Sequence, residues 1–275
     1  MSDVFSRFAP FIQDYIYRCK WEELREIQVL AAKAIFDTDE NLLLSSGTAS
    51  GKTEAAFLPV LTRLWETPSA SVGVLYLSPL KALINDQFER LEGLLEEAAI
   101  PVTKWHGDAS AAAKKRVMKR PQGIIQTTPE SLESMLMHNS SGAYRLFSDL
   151  RFIIIDEMHY FMDNDRGLQL LCLLERLARL IGYHPRRIGL SATLGDCTSA
   201  VQWLNTDSGR NCIVPKCHEK GRSLRLSVRF FPIKEKIPNS DSKVLLQNYY
   251  DYLFESTWNK RCILFSNSKG EVEEN

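Results

Sequence analysis

A lysine and a threonine that follow a loop of small residues have the types and spacing that phosphate binding requires. Lys52 and Thr53 come after residues 46–51, which themselves follow the three leucines 42–44. Successive backbone N–H groups of such a loop, placed between a strand and a helix, can surround a phosphate. Lys52 can then reach the β- and γ-phosphates of a nucleotide, and the Thr53 hydroxyl can hold Mg²⁺.

The predicted phosphate-binding loop departs from the strict pattern at its first position. The pattern has glycine where this chain has Ser46, but serine is small enough for the loop to close. An ordinary turn before a helix is the alternative interpretation, and the strand-loop-helix context favours the nucleotide site. The predicted nucleotide contacts in the loop are Ser46, Gly47, Thr48, Ala49, Ser50, Gly51, Lys52 and Thr53.

Two adjacent carboxylates follow a second apolar run. Residues 152–155 are all apolar, which is typical of a central parallel strand buried on both faces, and Asp156, Glu157 and His159 come directly after them. The carboxyl end of such a strand is where α/β sheets bind their ligands. Asp156 can hold the Mg²⁺ that bridges the phosphates, and Glu157 can orient and deprotonate the attacking water. An acidic turn without a function is the alternative interpretation.

An indole ring, a guanidinium and a carboxamide precede the loop and can together hold adenine. These groups belong to Trp21, Arg25 and Gln28. The amide can bond adenine N6 and N7, and the flat groups can stack on the base. Trp21 as a core residue, with Arg25 and Gln28 on a solvated helix face, is the alternative.

Two strand-to-helix junctions offer further phosphate donors. They are Ser78, Pro79 and Lys81 after the strand predicted at 72–77, and Thr127, Thr128 and Pro129 after the one at 123–126. Both junctions lie at the same edge of a parallel sheet, so together they predict a track for a sugar-phosphate backbone. The basic residues 114–120 can also contact a backbone, or they form a solvated surface.

The elements that position these residues form an α/β pattern with a mostly parallel sheet. Helical spacing is found over residues 1–37 and 167–181, and a further strand at 187–190 ends in hydroxyls that can bond to the loop 156–159. Polar residues 205–222 predict a domain boundary. After it we expect strands at 224–231 and 261–265 and a helix at 244–258.

Composition excludes several classes of protein. The chain has 275 residues, 44% of them hydrophobic and 25% charged, and its formal net charge is zero. A neutral chain is not a bulk electrostatic binder of nucleic acid, although local phosphate contacts remain open. No apolar run approaches the ~18 residues of a membrane span, so we expect no membrane partner. Six scattered cysteines and no secretory signal predict a cytoplasmic location.

The order of these motifs resembles superfamily-two helicases with a DExH or DEAD box, most closely the Lhr-like group. Trp21, Arg25 and Gln28 resemble the adenine-recognising motif, and residues 46–53 resemble motif I, with Ala49 in place of a common glycine. The other matches are residues 78–83 to motif Ia, 127–132 to motif Ib, 156–159 to motif II, 191–193 to motif III and 264–268 to motif IV.

The resemblance implies a RecA-like P-loop NTPase domain over 38–208, with an N-terminal helical segment over 1–37 and the incomplete start of a second RecA-like domain over 222–275. It implies ATP and Mg²⁺ as cofactors, with Lys52, Asp156 and Glu157 in catalysis and Thr53 and Asp156 at the metal. His159, Ser191 and Thr193 would couple hydrolysis to strand binding. The implied partners are single-stranded or duplex nucleic acid, DNA or RNA, and the remaining C-terminal helicase portion.

Two hypotheses of function follow from the resemblance. The first is the N-terminal ATP-binding portion of an ATP-dependent nucleic-acid helicase, which couples hydrolysis to translocation. The second is an ATP- and nucleic-acid-binding module with little turnover, because motifs V and VI would lie beyond Asn275 and an arginine finger contributes about 10³–10⁵ in rate. A small-molecule kinase is a third interpretation, and it leaves residues 191–193 unexplained.

Overall fold

The computed structural model describes residues 3–47, 50–80, 93–192, 194–217, 226–231 and 247–265. The chain divides into two compact units, Met1–His218 and Glu219–Asn275. In the described part of the chain, no helix is long and apolar enough to cross a membrane.

A seven-stranded sheet forms the centre of the first unit. Its strands are β1 (Asn41–Ser45), β2 (Val72–Leu77), β3 (Val102–Trp105), β4 (Gly123–Thr127), β5 (Phe152–Ile155), β6 (Arg186–Ser191) and β7 (Cys212–Ile213). Their order is β3-β4-β2-β5-β6-β1-β7, and each neighbouring pair is parallel. All carboxyl ends therefore lie at one edge of the sheet, which we call the carboxyl edge, and the opposite edge is the amino edge.

Helices connect these strands and cover both faces of the sheet. They are α1 (Pro10–Arg18), α2 (Glu26–Asp37), α3 (Lys52–Glu66), α4 (Ala111–Lys119), α5 (Pro129–His138), α6 (Ser140–Phe147), α7 (Asp165–Ile181) and α8 (Thr198–Asn205), with α9 (Gln247–Thr257) in the second unit. Residues 93–97 are helical as well. Residues 81–92, which precede them, lie outside the described residues.

The period of two along each strand divides the core into two layers. Tyr76 of β2 and Ile154 of β5 face one layer, which they share with the apolar residues of α1, α2 and α3. Leu75 and Ile153 face the other layer, which contains the apolar residues of α5, α6 and α7. Since β2 and β5 are buried along their whole length, they are central strands, as their apolar runs predicted.

Several boundaries differ from the expectation. The N-terminal helical segment is a 3₁₀ turn at Phe5–Arg7 followed by α1 and α2. The two residues of β7, inside a stretch expected to be irregular, pair with Asn41 and Leu42 of β1. Such a short strand has too few residues to show a period.

The strand predictions in the second unit were wrong. Residues 226–231 and 261–265 form no regular secondary structure, and Leu226 and Phe265 are 81% and 93% exposed. Apolar alternation becomes a strand only where a neighbour completes the hydrogen-bond ladder, and the described residues of this unit offer none. The expected helix is present as α9, and Phe231 packs on Tyr252 of that helix with ring centroids 5.4 Å apart.

Candidate active site

The loop between β1 and α3 closes through its own side chains. Gly51 ends it with φ +86°, in the left-handed region that favours glycine. Ser46, at the position where the strict pattern has glycine, places its hydroxyl 2.6 Å from the hydroxyl of Ser50. The serine therefore forms a hydrogen bond across the loop. Thr48 and Ala49 lie outside the described residues.

The ammonium of Lys52 lies inside this loop. Its Nζ donates to the carbonyl oxygen of Ser46 at 2.6 Å and to that of Gly47 at 2.9 Å. Thr53 follows in the first turn of α3, partly buried. The α3 N-terminus and the lysine together place positive charge where the loop encloses space for a phosphate.

The start of α2 lies against the same loop. A Cβ atom on Gly51 would be 3.0 Å from Gln28 Nε2 and 3.4 Å from the Arg25 side chain. Gln28 is buried, and its Oε1 accepts a hydrogen bond from the backbone N–H of Arg25 at 2.9 Å. The carboxamide is thus held in one orientation beside the loop. Trp21 instead packs edge-on against Tyr15, with centroids 6.0 Å apart.

Asp156 is buried at the carboxyl end of β5. Its Oδ2 accepts a hydrogen bond from the hydroxyl of Tyr76, and its backbone N–H donates to the carbonyl of Leu77 at 2.8 Å. Burial raises the pKa of Asp156 above its ordinary value, while the Tyr76 hydroxyl and the charge of Lys52 oppose the rise. The carboxylate is therefore held on β2 and lies within electrostatic reach of the lysine in the loop.

Glu157 adopts a left-handed backbone conformation, φ 43° and ψ 47°. For a residue with a Cβ this conformation costs about 1 kcal/mol or more. The turn directs its carboxylate toward His159, and Oε2 lies 3.4 Å from Nδ1 of that ring. The strained residue is therefore the one that the sequence predicted to orient and deprotonate the attacking water.

His159 joins the carboxylate segment to the end of β6. Its Nδ1 lies 3.4 Å from the Ser191 hydroxyl and 3.4 Å from the backbone N–H nitrogen of Ala192. An unprotonated Nδ1 accepts from that N–H, whereas a protonated one donates to Glu157. The contact expected between the Ser191 hydroxyl and this segment is present, and Thr193 lies outside the described residues.

Ser45, the last residue of β1, connects the phosphate-binding loop to the segment after β6. Its hydroxyl donates to the carbonyl of Ala192 at 3.1 Å and accepts from the N–H of Leu194 at 3.1 Å. A continuous set of contacts thus runs from the loop through residues 191–194 to His159 and Glu157. Sequence analysis did not single out Ser45, because its partners lie about 150 residues away.

The two predicted track junctions lie side by side at the carboxyl edge. The N–H of Ser78 donates to the carbonyl of Thr127 at 3.1 Å. The hydroxyls are used inside the chain, since Thr127 donates to Trp105 O at 2.7 Å and Thr128 to the Ser131 hydroxyl at 3.3 Å. Thr128 is the N-cap of α5, Pro129 is its first residue, and Lys81 lies outside the described residues.

Sequence analysis also missed Tyr76, Arg166 and Gly167. Tyr76 brings a hydroxyl into a strand that is otherwise apolar, which is the signal that could have identified it. Arg166 and Gly167 stand at the start of α7, shortly after the two carboxylates. An arginine next to a glycine in the first turn of a long apolar helix is a weaker signal, because neither residue type by itself indicates a site.

The comparisons with known proteins agree with this geometry. The family model described as DEAD/DEAH box helicase matches residues 25–200. The ATP-dependent helicase Lhr-Core of Methanocaldococcus jannaschii is 31% identical over 94% of this chain and 32% of its own length. The Lhr helicase/probable uracil glycosylase of Mycolicibacterium smegmatis is 31% identical over 85% of this chain and 16% of its own.

Solved structures support the same assignment. The structure of Mycobacterium smegmatis helicase Lhr bound to ssDNA and AMP-PNP superposes with a TM-score of 0.77 at 28% identity, over 99% of this chain and 36% of that one. The structure of DUF1998 helicase MrfA bound to DNA superposes with a TM-score of 0.67 at 27% identity, over 78% of this chain and 30% of that one. The predicted RecA-like α/β fold is confirmed. The chain spans about a third of the length of the Lhr-Core relatives. The helicase family that the motifs predicted is also confirmed, and the chain belongs to the DEAD/DEAH box helicases.

Proposed function

We propose that this chain is the ATP-binding portion of a helicase that couples ATP hydrolysis to movement along a DNA or RNA strand. The observation that carries the proposal is the continuous contact from the phosphate-binding loop, through Ser45 and Ala192, to His159 and Glu157. It gives the nucleotide site a physical connection to residues outside it. The relatives named ATP-dependent helicases support the same function.

The residues of the loop fit the triphosphate of ATP. The Lys52 ammonium donates to two loop carbonyls, so its positive charge lies inside the loop where a phosphate would bind. Gln28 retains the second lone pair of Oε1 and its Nε2 hydrogens for adenine N6 and N7. Arg25 is exposed beside it and can stack on the base, whereas Trp21 would contribute by supporting the segment.

The same site offers oxygen donors for Mg²⁺. Thr53 carries a hydroxyl and Asp156 a carboxylate, the ligand types that this hard cation prefers. A Mg²⁺ ion held there would supply positive charge against the negative charge that develops during phosphoryl transfer. Asp156 would hold the metal through water, with its second oxygen fixed by Tyr76. Glu157 would act as the general base on the attacking water.

The nucleic acid would bind along the carboxyl edge at the two junctions. Residues 127–129 at the start of α5 would contact one phosphate, and residues 78–80 after β2 would contact a neighbouring one. His159, Ser191 and Thr193 would transmit the state of the nucleotide to this track. We further assign residues 1–37 to an N-terminal segment, 38–208 to the first RecA-like domain and 222–275 to a second one, with the protein in the cytoplasm.

ATP hydrolysis measured with and without single-stranded DNA and RNA tests the proposal. We expect stimulation by at least one polymer in the parent and none in Glu157→Gln, which should still bind ATP because its side chain has the same shape. Tight ATP binding with no turnover under any condition would contradict the motor and favour the binding module. Turnover that persists in Glu157→Gln would remove that residue from its assigned role.

A further inference from the structure

Arg166 lies between the two junctions of the proposed track, the one after β2 and the one after β4. Its Nη2 donates to the carbonyl oxygen of Pro79 at 2.7 Å, and its Nε donates to Glu130 Oε1 at 2.6 Å. Its guanidinium carbon lies 5.5 Å from the centroid of the Phe161 ring. A single side chain therefore contacts three segments that are distant in sequence.

Each of the three partners belongs to a segment with an expected function. Pro79 is in the turn that follows β2, and Glu130 is the second residue of α5. Phe161 ends the 3₁₀ turn that follows Asp156 and Glu157. The planar guanidinium can satisfy all three at once because its donors have a fixed fork geometry. A lysine ammonium has neither the fork nor the flat face.

The backbone around Arg166 fixes the side chain relative to the carboxylates. A Cβ atom on Gly167 would lie 1.6 Å from the carbonyl oxygen of Phe161, so only glycine fits there. Asn164 caps α7 by accepting from the Gly167 N–H at 3.0 Å and donates to the carbonyl of Tyr160 at 2.8 Å. The start of α7 is thus packed directly against the segment that follows Glu157.

The ion pair also controls the charge at the start of α5. Partial burial alone would raise the pKa of Glu130, but the hydrogen bond from Arg166 brings it below its ordinary value. The carboxylate is therefore ionised at neutral pH, and Arg166 neutralises it. An unpaired carboxylate in the first turn of α5 would repel a phosphate that approaches the N–H groups of that turn.

We propose that Arg166 is a positioning residue that sets the spacing between the two halves of the nucleic-acid track and fixes both to the carboxylate segment. The inference rests on the proposed function, since it concerns the strand that the track would hold. Arg166 acts through Pro79 and Glu130 and does not itself contact a phosphate. Its loss therefore weakens strand binding but leaves the nucleotide pocket unchanged.

The test compares Arg166→Gln with Arg179→Gln in the same helix. Arg179 is a matched control, because its Nε donates to Glu175 Oε1 at 2.7 Å in an ion pair on α7 that contacts neither junction. Binding of a fluorescent single-stranded oligonucleotide is measured over a series of salt concentrations, with ATP affinity and thermal unfolding measured in parallel. We expect about tenfold weaker strand binding in Arg166→Gln, as for loss of a charged hydrogen bond, and no change in Arg179→Gln.

The salt series separates positioning from direct contact. A residue that neutralises a phosphate contributes roughly 0.7 to the slope of log affinity against log salt for a single strand. Measured in a Glu130→Gln background, where no carboxylate is left unpaired, loss of a positioning residue leaves the slope unchanged. Arg166→Lys should recover part of the affinity through its bond to one partner. A slope reduced by that amount would make Arg166 a phosphate contact and overturn the proposal.

Two other results would also overturn it. One is unchanged strand binding in Arg166→Gln. The other is a parallel loss of ATP affinity and thermal stability in both Arg166 variants, which would make the residue a general structural one. If the parent chain binds no strand at all, the proposed function fails together with the inference, and this is visible before any variant is made.

Discussion

The amino and carboxyl edges of the sheet both bury polar side chains but use them in opposite ways. At the amino edge, Arg186 of β6 is only 5% exposed and donates to the carbonyls of Ala34, Ile35, Thr38 and Glu40. Arg187 donates to the carbonyls of Leu204 and Thr206. The two cations thus satisfy the last carbonyls of α2 and α8, where the helix dipole favours positive charge.

At the carboxyl edge, the polar groups are buried or partly buried and bond mainly to one another and to loops. Asp156 is held by a tyrosine hydroxyl, Lys52 by two carbonyls of its own loop, and Glu157 by a strained turn beside His159. These contacts leave donors and acceptors available for a ligand. The amino edge therefore holds the helices on the sheet, whereas the carboxyl edge is less stable and forms a site.

The largest expected effect is at the amino edge. Arg186→Ala leaves several buried carbonyls without a donor, so we expect a loss of about 4 kcal/mol in the free energy of unfolding. Burial lowers the pKa of Arg186 to about 10, so the residue is still a cation at neutral pH. Urea unfolding measures the loss, and Arg176→Ala, at an exposed position of α7, is the control. Unchanged stability in Arg186→Ala would contradict the conclusion that the amino edge holds the helices on the sheet.

Lys52→Ala should weaken ATP binding and leave stability nearly unchanged, the reverse of what we expect for Arg186→Ala. We expect ATP affinity to fall by about 2 kcal/mol, roughly 30-fold, because a charge-assisted bond to phosphate is lost. The free energy of unfolding should change little, since this ammonium donates to carbonyls of its own loop and not to another element of the core. Lys33→Ala, on the exposed face of α2, is the control for the loss of a positive charge. A variant with parental ATP affinity would contradict the assigned site.

Tyr76→Phe tests the contact that holds Asp156. Removing the hydroxyl frees the carboxylate to rotate, so we expect the apparent Mg²⁺ affinity of the ATP complex to fall about tenfold, as for other partners of metal ligands. Nucleotide binding titrated with Mg²⁺ measures it. Tyr183→Phe is the matched control, since its hydroxyl donates to the carbonyl of Leu150 at 2.9 Å, away from the site. Equal effects of both variants would indicate general destabilisation.

The sequence predicted the carboxyl edge better than the amino edge, for physical reasons. Apolar runs and small-residue loops are local signals, so β1, β2, β5 and the residues that follow them were located correctly. The partners of Arg186 lie about 150 positions away, and no local pattern indicates that a buried arginine binds helix ends. Tyr76 and Asp156 are 80 residues apart, and only the pairing of β2 with β5 brings them together.

Glu157→Gly gives the smallest effect on the free energy of unfolding and the clearest contrast between the edges. Glycine adopts the left-handed conformation at little cost, and the repulsion that raises the pKa of Asp156 is removed. We expect a gain of about 0.5–1 kcal/mol in stability, net of the greater entropy of glycine in the unfolded chain. Hydrolysis should be lost in the same variant. Stability falls when the buried Arg186 is removed from the amino edge and rises when the partly exposed Glu157 is removed here, because Glu157 is held in a strained conformation. A stability loss above 1 kcal/mol in Glu157→Gly would show that both edges are built for the fold.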